Sequence, residues 1–127
     1  MATLVSEGIR VTVESTFLAE HSSPENDRYA FAYFVTIANE GAPRVQLRRR
    51  HWIITDGNGK VEEVEGPGVV GEQPILEQGD VHRYTSGAVI TTPVGTMEGS
   101  YEMHETTGRI FRAKIPRFSL QMPGVRQ

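Results

Sequence analysis

The chain contains no cysteine. That absence excludes a disulfide framework, a thiolate nucleophile and a Cys-rich zinc site, and it fits a reducing compartment. Long hydrophobic runs are missing too: no apolar stretch approaches the ~20 residues that a membrane-spanning helix needs. Met1–Glu7 has neither the basic nor the apolar region of a secretion signal. The expectation is a soluble, cytoplasmic protein without a membrane partner. An excess of positive charge is also lacking, since 13 Lys plus Arg stand against 16 Asp plus Glu for a net charge of -3. No global attraction for nucleic acid follows from that balance. Helical periodicity is absent as well, which leaves an all-β chain as the reading.

What is present is alternation. A chain of 127 residues fits one domain that buries roughly two thirds of its unfolded surface. Ile9, Val11 and Val13 alternate with Arg10, Thr12 and Glu14, as in a half-buried strand. From Tyr29 to Asn39 the odd positions carry Tyr, Phe and β-branched side chains, which predicts a central strand. Val45 to Asp56 reads as a strand with a defect: Val45 and Leu47 place the core on odd positions, Trp52 and Ile54 on even ones. A β-bulge near Arg48-Arg49-Arg50 accounts for the slip. Asp56-Gly57-Asn58-Gly59 supplies a tight hairpin, and Lys60–Val64 returns as a polar edge strand.

Further on, Val81–Ser86 and Ala88–Ile90 read as short strands broken at Gly87. Thr96–Glu105 alternates weakly, and Arg109–Ile115 closes the set, with Pro116 as its end. About seven strands at roughly ten-residue spacing, punctuated by Gly and Pro, describe a two-sheet antiparallel sandwich of immunoglobulin-like type. The first few residues and the tail after Leu120 are expected to be disordered, leaving a single domain over 1–127 with its core at about 5–120.

The sharpest motif is Gly66-Pro67-Gly68-Val69-Val70-Gly71, which spells GxGxxG. Such glycines cradle phosphate where a strand leads into a helix whose N-terminal amides face the anion. Here Glu72, Gln73 and Pro74 follow, and no helix starts. Gly66, Gly68 and Gly71 are thus either a structural turn or a nest of amides for phosphate, with Arg48, Arg50 or Arg83 as cationic partners. Among His21, His51, His82 and His104, only Glu102 and His104 share a strand face, and two ligands are fewer than a dedicated metal site uses. No GxSxG elbow is present, so no catalytic residues are assigned. The basic runs at Arg44–His51 and Arg109–Arg117 read as solvated sheet faces.

Four blocks in order, Arg50–Asp56, Val64–Pro74, Tyr84–Gly87 and Thr92–Tyr101, resemble the ApaG family, also called CorD. The resemblance spans about Val5 to Leu120. It implies a fibronectin type III-like β-sandwich and links to cobalt resistance and magnesium transport. It also implies a gene commonly placed beside that of a diadenosine tetraphosphatase. Related domains in F-box proteins and in a DNA-polymerase-interacting protein look like partner-binding modules, and no catalytic activity carries over.

The functional expectation is a non-enzymatic module that binds another protein and needs no cofactor. Arg50, Trp52, Tyr84 and Tyr101 are its candidate surface. Trp52 has two readings, a core anchor or an exposed hot spot. Tyr84, Met97, Tyr101 and Met103 likewise either build a patch or fill the core. The alternative function is phosphate or nucleotide binding, of pyrophosphate or a diadenosine polyphosphate, at Gly66–Gly71. Monomer and homodimer both remain open.

Overall fold

A computed structural model describes residues 1–125. Nine strands make two antiparallel sheets: β1 (Ala2–Ser6), β2 (Ile9–Phe17), β3 (Tyr29–Asn39), β4 (Val45–Asp56), β5 (Val61–Pro67), β6 (Ile75–Leu76), β7 (Val81–Ile90), β8 (Val94–Glu105) and β9 (Ile110–Gln121). One sheet has the order β1-β2-β3-β7, the other β5-β4-β8-β9 with β6 beside β4. The only helical pieces among the described residues are two single 3-10 turns, Ala19–His21 and Pro24–Asn26.

The core lies between the sheets, where alternation sends one face of each strand. Tyr29, Phe31, Tyr33, Val35 and Ile37 of β3 meet Leu47, Trp52, Met97, Tyr101 and Met103 of the facing sheet. The slip in β4 is real: its register with β8 shifts between Leu47 and Arg49. Leu47 and Trp52 are consequently both buried although they differ in parity. One buried polar side chain pins the end of β3. Asn39 Nδ2 donates to Leu76 O at 3.1 Å, and Asn39 Oδ1 accepts from Ala42 N at 2.9 Å.

The hairpin after β4 closes as read, with Asp56 N donating to Lys60 O and Gly59 alone of its residues at positive φ. Four other expectations need correction. Residues 2–6 are not disordered but pair with β2 as an extra edge strand, because Ala2↔Val13 through Ser6↔Ile9 satisfies their backbone. Gly87 does not break β7; it sits opposite Ala32 in an unbroken ladder. Pro116 does not end β9. Met97 pairs with Phe118 and Gly99 with Ile115, so Pro116 and Arg117 together oppose Glu98. In that bulge the missing proline N–H costs no ladder bond. Lastly, the tail after Leu120 stays engaged through Met122 N, which donates to Pro93 O at 2.9 Å; residues 126–127 of that tail lie outside the described residues.

Candidate functional site

The GxGxxG segment is a strand end and a tight turn, with no helix behind it. Gly66 is still in β5, paired with Arg50. Gly68 N donates to Arg48 O at 2.9 Å, and Val69 and Glu72 exchange two backbone bonds of 2.8 and 3.0 Å. Those two bonds close a hairpin turn over Val70 and Gly71, both at positive φ (47° and 78°). Glycine is required at 68 for a second reason: φ is +64° and an added Cβ would lie 2.3 Å from Glu72 O.

The amides of Val69 and Glu72 are therefore engaged inside the loop, and that of Gly68 by β4. Its carbonyls face inward to a cation the protein already supplies. Arg50 Nη1 donates to Pro67 O at 2.9 Å and to Gly68 O at 3.1 Å, and its guanidinium lies against Gly66, where a Cβ would be 3.1 Å away. Arg50 is the arginine whose guanidinium is bonded to the loop. Arg48 contributes its carbonyl, which also accepts from Gln73 Nε2, while its side chain turns to Gln46. Arg83 stands on β7, opposite Thr36.

Val70 is a β-branched residue in the left-handed region and 62% exposed, so it carries strain without packing to offset it. Replacing it with asparagine, which tolerates that conformation, is expected to raise stability by about 1 kcal/mol. A rise of a few degrees in Tm would show it; an unchanged Tm would mean the turn relaxes around valine at no cost.

The four residues expected to form a partner surface are drawn together but not outward. Trp52 and Tyr101 are 3% and 0% exposed. Trp52 packs edge-to-face on Tyr33 at 5.1 Å and on Phe118 at 5.9 Å. Met97 and Met103 are buried with them. The bulge explains this, because it turns Trp52 and Ile54 into the phase that faces the opposite sheet. The Tyr84 and Tyr101 hydroxyls hydrogen-bond to each other, linking β7 to β8 across the sandwich. Burial pushes both phenols above the ordinary tyrosine range. Tyr33 is raised by burial too, with Ser86 and Arg50 acting in the opposite sense. All three side chains are thus neutral hydrogen-bonding groups rather than bases.

Among the described residues no cluster of three or more His, Asp or Glu is arranged to hold a metal ion. Glu102 and His104 do share a face, and they bond to each other at 3.0 Å. The hydrogen bond from His104 holds the Glu102 carboxyl below its usual range. His51 pairs with Glu63 at 2.8 Å, on a strand pair that also leaves Arg49 exposed. His82 stands apart: its Nε2 is buried and has no hydrogen-bond partner, with Glu72 Oε2 3.8 Å away. Apart from the half-buried Arg50 and His51, the basic residues of both runs are exposed; Arg109 pairs with Glu7 and Glu105, and Arg117 with Glu98.

One feature escaped the sequence reading, the free edge of β7. Asn39 N donates to Asp80 O, which sets the parity of the β3–β7 ladder. Even-numbered β7 residues then exchange bonds with β3, and Val81, Arg83, Thr85, Gly87 and Val89 turn their N–H and C=O outward. The other edges are guarded. β5 carries Glu62, Glu63 and Glu65 and ends in Pro67. β9 has its bulge, and its backbone is bonded by β1 and β2: Lys114 N donates to Ser6 Oγ and Ser15 Oγ donates to Ser119 O. β1 is only five residues long. β7 has ten residues with no Pro, Lys, Asp or Glu and no register shift. The signal for it in the sequence is a ten-residue strand with Arg83 as its one acidic or basic side chain apart from His82, which became readable only once β7 was known to end a sheet.

Comparison with known proteins gives a consistent set of similarities. The family model described as the ApaG domain matches residues 19–105. The protein named ApaG of Pseudomonas entomophila is 53% identical over 116 residues, 91% of this chain and 92% of that one. ApaG of Thiobacillus denitrificans is 54% identical over 117 residues, covering 92% of each. A crystal structure of a Bordetella pertussis protein described as ApaA superposes with a TM-score of 0.88 at 44% identity, over 92% of this chain and 95% of that one.

Proposed function

The chain belongs to the ApaG domain family, and from that premise we propose that it is a non-enzymatic binding module whose partner is a protein. The partner adds an extended segment to the β7 edge. The observation that carries this reading is the contrast between edges: β5, β9 and β1 are charged, covered or short, whereas β7 offers five outward amides and five outward carbonyls along an uninterrupted strand. Main-chain bonds to such an edge supply affinity, and alternate side chains supply specificity. Val81 and Val89, 44% and 46% exposed, flank the edge with apolar surface. Phosphate or nucleotide binding at Gly66–Gly71 has less support, since the Gly68 amide is bonded to Arg48 O of β4, Val69 and Glu72 bond each other, and two carbonyls turn toward Arg50.

A photo-crosslinking amino acid placed at Val81 or Val89 in cells should yield covalent adducts. The same probe at Ile110, 57% exposed on β9, should yield none. Thr85→Pro should abolish the β7 adducts while leaving the circular dichroism spectrum unchanged, because the Thr85 N–H has no partner within its own sheet. Adducts of equal strength at Ile110, or none at β7, would remove this function.

A further inference from the structure

Resting on that reading, we propose that the strand completing the β7 edge is β7 of a second copy of this chain, in a symmetric antiparallel pair centred on Thr85. The register follows from the free groups. Outward amides and carbonyls occur only at odd-numbered β7 residues, so a partner strand must set its own outward residues opposite them. Centring on Thr85 is the one self-pairing that uses all of Val81, Arg83, Thr85, Gly87 and Val89 on both copies. It places Thr85 opposite Thr85, Arg83 opposite Gly87 and Val81 opposite Val89.

The side chains agree with that register. Val81 and Val89 are the exposed apolar residues of β7, and they become cross-strand partners, which favours pairing. The Arg83 stem crosses a residue with no side chain, and the two Arg83 guanidiniums do not oppose each other. A centre at Arg83 would instead set arginine against arginine. On the inner face, His82 meets Ala88 and Tyr84 meets Ser86, again without like charges. Glu62 and Lys60 line the depression beside Val89–Thr91, so that end of the interface carries both signs. The pairing would join two four-stranded sheets into one of eight and leave no exposed edge at β7.

The absence of cysteine makes the register directly measurable. In a hydrogen-bonded antiparallel pair the Cα atoms are about 5.5 Å apart, within the span of a disulfide. Under mild oxidation Thr85→Cys should therefore link to itself, at least about ten-fold faster than Val81→Cys links to itself. An equimolar mixture of Val81→Cys and Val89→Cys should link as a heterodimer. Sedimentation of the cysteine-free chain should show a dimer that Thr85→Pro converts to monomer with its fold intact. A monomer at every concentration, or equal rates for Thr85→Cys and Val81→Cys, would overturn the self-pairing. The in-cell adducts separate the two levels of the argument: adducts at Val81 of a mass other than twice the chain keep the edge-binding function and overturn the second copy as partner, whereas no adduct overturns both.

Discussion

Trp52→Ala is expected to cost about 3–5 kcal/mol of stability, among the largest losses any single side-chain truncation in this protein can give. Three aromatic rings close on the indole: Tyr33 at 5.1 Å, Phe118 at 5.9 Å and Tyr101 at 6.4 Å, all edge-to-face. Tyr33 comes from one sheet and the other two from the opposing one, so truncation opens a void at the junction of both. The surrounding strands are held by their ladders and cannot collapse to fill it. Urea unfolding followed by far-ultraviolet circular dichroism measures the loss, since Trp52 is the chain's one tryptophan and its fluorescence is removed with it. A variant of unchanged midpoint would return Trp52 to the surface and with it the notion of an arginine-flanked hot spot.

Gly99→Ala should be as damaging for the opposite reason. A Cβ at Gly99 would fall 2.0 Å from His51 O and 3.1 Å from Trp52 Cα. Both obstacles are backbone of β4, the central neighbour of β8, and neither can rotate away. The β4–β8 pair must separate locally or the variant does not fold, with a cost on the order of 3 kcal/mol or more. Gly71→Ala is the informative control. It also alters a glycine, at φ +78°, but nothing lies within 4 Å of its Cβ, so only the conformational penalty of about 1 kcal/mol applies. Equal losses in the two variants would show that close packing of β4 on β8 is not what demands glycine at 99.

The two substitutions mark where sequence reading works and where it stops. The change of apolar parity between Leu47 and Trp52 announced the bulge in β4, because a side-chain period of two makes any one-residue slip visible. The same slip already implied a buried Trp52, yet neighbouring arginines kept a surface role open for it. Gly99 carried no such announcement: the approach of His51 O is a property of two strands 48 positions apart in the chain. Proline and glycine misled in the other direction. In the sequence Pro116 and Gly87 read as stops, but a bulge absorbs the first and a cross-strand partner accommodates the second.

The GxGxxG loop shows the same division. Its glycines declared a segment of unusual backbone, and that much was legible. Where those amides turn depended on how the following turn folded: Gly68 N bonds Arg48 O, and Val69 and Glu72 bond each other. Arg50, a cation that the sequence offers to an anion there, donates to the loop's own carbonyls.

By itself, then, the amino-acid sequence determined that this chain is an antiparallel β-sandwich, placed its central strands, its hairpin and its bulge, and tied it to its family. Those features depend on side-chain period and turn chemistry, which are local. Which faces meet, which edge is left unpaired and which glycines are hemmed in by backbone were decided only by the tertiary structure, because each is a relation between strands that the chain brings together from a distance.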